Sequence, residues 1–281
     1  MTTENKTGKP SFLRGFLSTC SYVRALMGGL WLKPLGFDSP ERMKNGLTIV
    51  LPGIEGIGAM NYSLARGLND SDLPYAIQID DWTKRYKPAF LNLVLTDRID
   101  FEAERLSEKV VDYQNQNPGK PVHLVGHSGG AALIAKILEA LPDGRTVNSA
   151  VMIAPALSPR YDLSKALKKV TGKLVNIRSR WDWYFLGIGT MMVGTLDRRF
   201  SASAGNVGFK MPDESEKERH CLYRDRFQQI KYKFSMLKDW HYGGHLSCVN
   251  RVFVERHISP ILRAAIPQVV SSKKTSSSEA V

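Results

Sequence analysis

With 281 residues, 43% of them hydrophobic and 23% charged, the chain has ordinary globular composition and can build one substantial core without disulfides or metals. Cys20, Cys221 and Cys248 are too few and too scattered for a disulfide framework or a zinc cluster, and their odd number fits a reducing compartment. The net charge of +12 suits an anionic partner, but the basic residues form no single block. No zinc-finger spacing, RNA-binding aromatic signature or basic-region heptad accompanies them, so nucleic acid is not an expected partner.

Residues 1–10 are polar and are expected to be disordered. Residues 11–45 form an N-terminal segment in which 11–36 is apolar but interrupted by Arg14, Arg24 and Lys33. A bilayer span takes about 20 apolar residues, so this segment reads instead as an amphipathic helix lying on protein or on lipid. Peripheral contact with an anionic membrane is therefore carried as an expectation beside a cytoplasmic location. The body, 46–266, alternates short β-branched runs with longer helical spacings, which predicts a mostly parallel sheet flanked by helices in three layers.

The expected strands are 47–51, 75–79, 122–125, 147–153 and 174–177. The expected helices are 61–68, 101–113, 131–141, 163–170, 218–230 and 246–265, the last kinked or divided at Pro260. Residues 187–209 give no clean period, and about 183–231 reads as an insertion or lid. The tail, 267–281, is polar and is expected to be disordered.

The chemistry centres on Gly126-His127-Ser128-Gly129-Gly130. Gly-x-Ser-x-Gly alone is a weak signal, but here an apolar strand enters it and a small-residue helix leaves it, as a nucleophile elbow requires. The flanking glycines remove side chains that would strike the neighbouring strand and helix. A serine hydroxyl needs a base, because it is protonated at neutral pH.

Of the six histidines, His241 and His245 lie on a loop ahead of the closing helix. His245 is preferred for its place after Gly243-Gly244, and His241 is the alternate. The acid that orients the imidazole is read as Asp182, a few residues beyond the strand 174–177, with Asp197 as competitor. An oxyanion hole of two backbone N–H groups is assigned to Gly129 and Ile54. Glu55, beside Ile54, is expected to turn away or to pair with a basic side chain.

This order of Pro52-Gly53-Ile54, the serine turn, Asp182 and Gly243-Gly244-His245 resembles the α/β-hydrolase fold family over residues 46–266. Leu51–Gly56, 121–130, 154–163 and 194–197 resemble a bacterial branch of it that has no assigned substrate. The N-terminus looks too short for the first one or two strands of the full sheet.

The resemblance implies a cofactor-independent hydrolase of carboxylic esters or thioesters that works through an acyl-enzyme on a small-molecule acyl substrate, without a metal. An acyltransferase with the same triad and a non-catalytic hydrolase-like binding protein are the alternatives. Trp181, Trp183, Tyr184 and His127 are candidates for the substrate pocket, although core packing accounts equally well for any one of them. Oligomeric state is not legible.

Overall fold

The computed structural model describes residues 11–26, 34–83, 91–94, 96–183, 186–187 and 190–264. The expectations for 1–10 and 267–281 lie outside these residues.

Six strands form one sheet: β1 (Leu47–Leu51), β2 (Ala76–Ile79), β3 (Val122–His127), β4 (Ser149–Ile153), β5 (Leu174–Arg178) and β6 (Phe227–Lys231). Their order is β2-β1-β3-β4-β5-β6, and every pairing is parallel. No antiparallel strand precedes β1 among the described residues. β1, β3 and β4 are buried along their whole length, as strands covered on both faces must be, and their Val, Ile and Leu content follows from that.

The principal helices are α1 (Ser11–Leu26), α2 (Ala59–Asp70), α3 (Thr96–Gln116), α4 (Ser128–Ala140), α5 (Ser164–Lys168), α6 (Lys217–Arg226) and a closing helix α7 over 251–264. From β1 the chain steps outward to β2, then returns to the other side of β1 with β3. In open parallel sheets, the crevice at the C-terminal ends of two such strands is where ligands bind. The loops that leave β1 and β3 carry Ile54 and Ser128.

The sheet has one strand that sequence reading assigned elsewhere. The spacing predicts the end of a helix and of a lid over 227–231, whereas the helix stops at Arg226 and Phe227–Lys231 pairs with β5. Phe-Gln-Gln-Ile-Lys is half polar because β6 is an edge strand with only Phe227 fully buried. Gln229 is satisfied by the chain that covers this edge: its Oε1 accepts from Phe209 N–H at 2.8 Å, and its Nε2 donates to Phe209 O at 3.0 Å.

The closing helix also differs. It begins at Arg251, capped by the Asn250 side chain, and widens to a π turn over Val254–Ile258. The widening comes just ahead of Pro260, which has no N–H for a helical bond, and Ser259 N–H reaches back to Val254 O.

Candidate active site

Ser128 follows directly on β3 and begins α4 with φ of 54°, a left-handed conformation that is costly for a side-chain residue. The flanking glycines explain how the turn fits. A Cβ on Gly126 would lie 2.5 Å from Gly130 O, and one on Gly130 would lie 2.6 Å from Leu51 O and overlap Pro52 O. The turn is wedged against the end of β1, and only hydrogen is tolerated at those two positions. Ser128 itself is buried but not sealed, with 7% of its surface accessible.

His245 presents Nδ1 to Oδ2 of Asp182 at 2.6 Å, and both side chains are buried. The loop that brings His245 here is braced from below. Its carbonyl lies 3.1 Å from His127 Nε2 and accepts the Cys248 thiol at 2.9 Å. The His127 and His245 rings pack with centroids 4.6 Å apart, so the residue before the serine props the histidine loop beside the elbow.

Burial, followed by the nearby charge of His245, holds the His127 pKa well below its ordinary value. Neutral His127 therefore carries its proton on Nε2, as donation to a carbonyl requires. It is only 1% exposed. Nothing in the sequence signals this role, because its partner is a main-chain carbonyl 118 residues away.

The alternates His241 and Asp197 have other partners. His241 is buried between Tyr232 and Phe253, with Nδ1 at 3.1 Å from Ser247 Oγ. Burial, then the charge of His257, pushes its pKa down to about 4. Asp197 accepts from Ser158 N–H at 2.9 Å, from Ser158 Oγ at 2.5 Å and from Thr195 Oγ1 at 2.6 Å. It fastens the 194–197 turn to the segment 154–163 and does not meet a histidine.

Beside the elbow, the Ile54 amide nitrogen lies 3.5 Å from where a Gly129 Cβ would stand. The Ile54 carbonyl accepts from Asn92 Nδ2 at 3.0 Å, which fixes the plane of the loop. Trp82, wholly buried, donates from Nε1 to Pro52 O at 2.7 Å and closes the back of that loop. Gly129 N–H belongs to the first turn of α4, where no intrahelical acceptor exists.

Glu55 forms no ion pair with a Lys or Arg among the described residues. Burial pushes its carboxyl pKa up, opposed by the N–H of Glu55 itself, the charge of His245, the N–H of Gly53 and the side chain of Asn61. The residue is exposed by surface area, so water weakens the push from burial.

Trp181 and Trp183 flank Asp182 but turn outward, 61% and 58% exposed. They border the site without enclosing it, and Tyr184 lies outside the described residues. Among the described residues no cluster of side chains could hold a metal ion.

Residues 102–236 match the family model described as serine aminopeptidase, S33. No curated protein matches the chain. Among solved structures, the chain is similar to LpqC, a poly(3-hydroxybutyrate) depolymerase from Bordetella parapertussis, at 12% identity over 84% of each chain with a TM-score of 0.47. It is similar also to the Pyrobaculum calidifontis esterase, at 13% identity over 92% of this chain and 94% of that one with a TM-score of 0.45. Est1E from Butyrivibrio proteoclasticus is 12% identical over 84% of this chain and 95% of its own, with a TM-score of 0.43. The all-parallel sheet, the strained serine at the end of β3 and the family match over residues 102–236 give the chain the fold of an α/β-hydrolase.

Proposed function

We propose that the protein is a serine hydrolase of carboxylic esters or thioesters that acts through an acyl-enzyme. The observation that carries this reading is the contact between His245 Nδ1 and buried Asp182 at 2.6 Å, beside an elbow that holds Ser128 at φ of 54°.

Ser128 Oγ attacks the acyl carbon while His245 Nε2 takes its proton. Asp182 holds the ring in the tautomer with hydrogen on Nδ1 and stabilises the imidazolium. The oxyanion that forms is held by the N–H groups of Ile54 and Gly129, helped by the positive end of α4. His245 returns the proton to the leaving alcohol or thiol. Water, deprotonated by the same histidine, then releases the acid and restores Ser128.

Turnover of a series of p-nitrophenyl esters and acyl thioesters tests the reading. Wild type is expected to hydrolyse at least one class, and Ser128→Ala to lose about 10³-fold or more of that rate. An unchanged rate in Ser128→Ala sinks the proposal.

A further inference from the structure

Helix α1 is folded inside out. Its inward face is polar: Arg14 Nη1 meets Asp70 Oδ2 at 2.5 Å and Glu255 Oε2 at 2.8 Å. Ser18 bonds Ser63 Oγ, and Tyr22 donates to Ser63 Oγ at 2.8 Å. Gly15 lies so close beneath Trp240 that a Cβ there would overlap the indole. The outward face carries Phe12, Leu13, Phe16, Leu17 and Val23, all exposed, Phe12 to 70%. A helix that only packs on its own core shows the reverse pattern. An apolar face of this kind marks a surface that meets something else.

That surface continues to the active site. Phe12 and Phe16 pack on Trp240 at 5.2 and 6.4 Å between ring centroids, and Trp240 packs on exposed Tyr242 at 6.2 Å. Beside Gly243, where a Cβ would lie 3.0 Å from Trp181 Cβ, exposed Trp181, the neighbour of Asp182, stands edge-on to Phe234 at 5.9 Å. Exposed cations neighbour these rings along the chain: Arg180 precedes Trp181, Lys231 and Lys233 flank Tyr232, and Lys238 lies two residues before Trp240.

Trp, Tyr and Phe interleaved with Lys and Arg suit a membrane–water interface with anionic headgroups, whereas interfaces between proteins are depleted in Lys. No described helix is long and apolar enough to cross a bilayer, so contact of this kind is peripheral.

We propose that the outward face of α1, with the 234–242 loop and Trp181, docks on the surface of an anionic bilayer. Resting on the hydrolase reading above, this makes the substrate an acyl ester carried by a membrane lipid and presented at the mouth between Trp181 and the His245 loop. The helix lies in the interface plane with its Phe and Leu side chains among the acyl chains. The lysines meet phosphate groups.

Co-sedimentation with vesicles tests the docking without reference to catalysis. The two vesicle types are pure phosphatidylcholine and phosphatidylcholine in which a third is replaced by phosphatidylglycerol. Wild type and Ser128→Ala are expected to pellet alike with the phosphatidylglycerol vesicles, and more weakly as salt is raised. The double variant Phe12→Ser, Phe16→Ser should bind at least about tenfold more weakly. Lys233→Glu with Lys238→Glu should lose the preference for phosphatidylglycerol by at least about tenfold. All four side chains are solvent-facing, and urea midpoints equal to wild type show that the fold is kept.

Wild type that stays in the supernatant with both vesicles overturns the docking, as do variants that bind as wild type does. So does self-association of wild type that the Phe12, Phe16 variant abolishes, since a protein then covers the face. Hydrolysis of the vesicle lipid should fall in the Phe12, Phe16 variant while hydrolysis of a soluble ester stays at the wild-type rate. Vesicle binding with no hydrolysis of any ester leaves the docking standing and removes the hydrolase reading.

Discussion

His245 Nδ1 and Asp182 Oδ2, 63 residues apart in the chain, meet at 2.6 Å with both side chains buried. The contact sets Asp182 apart from Asp197, whose oxygens are taken by Ser158 and Thr195. The two aspartates should therefore respond differently. Asp182→Asn keeps the fold but disfavours the tautomer that the histidine needs, and turnover should drop about 10³- to 10⁴-fold. Asp197→Asn should leave turnover within a few-fold of wild type and lower the urea midpoint, because a charged acceptor for three donors is lost. Rates and midpoints measured on both variants check this, and the reverse ranking contradicts it.

In the proposed mechanism His127 acts as a positioning residue. His127→Phe keeps a ring against His245 but removes the N–H that holds its carbonyl, leaving only the weaker Cys248 thiol. The expected result is a kcat lowered about tenfold or more with KM nearly unchanged, since the loop loosens where the base must be aligned within a fraction of an ångström. His127→Gln, which can still donate, should recover part of the loss. A loss confined to KM points to a substrate-binding role instead.

How legible the candidate site was in the sequence depended on the kind of partner each residue has. Ser128 was legible because a strained turn between an apolar strand and a small-residue helix leaves glycines at fixed offsets. Asp182 and His245 were candidates only by chain order, and what distinguishes them from Asp197 and His241 is a set of hydrogen bonds that chain order does not carry. β6 was hidden because Gln228 and Gln229 are unremarkable on a polar edge. For α1 the sequence reveals two faces but not which one points inward, since Arg14 becomes a core residue only when Asp70 and Glu255 meet it.

Stability should fall with mild acid. His123, buried beside Ser149, has its pKa pushed down by burial to about 3, and His241 is pushed down to about 4 by burial and then by His257. In the unfolded chain both titrate near 6.5. Above that pH neither state binds a proton. As pH falls below about 6.5 the unfolded state takes protons that the folded state refuses. The stability due to these two groups is lost progressively down to about pH 4 for His241 and about pH 3 for His123, by up to about 1.4 kcal/mol per pH unit for each. Urea midpoints at about pH 7.5 and about pH 5 should show the drop. Equal midpoints contradict it.

The central claim is that Ser128 is a nucleophile activated by His245. Labelling with a fluorophosphonate probe, which reacts only with an activated serine, tests this most directly on wild type, Ser128→Ala and His245→Ala. The account predicts labelling of wild type that is absent in Ser128→Ala and sharply reduced in His245→Ala. Folded wild type that does not label, or Ser128→Ala that labels as wild type does, contradicts it.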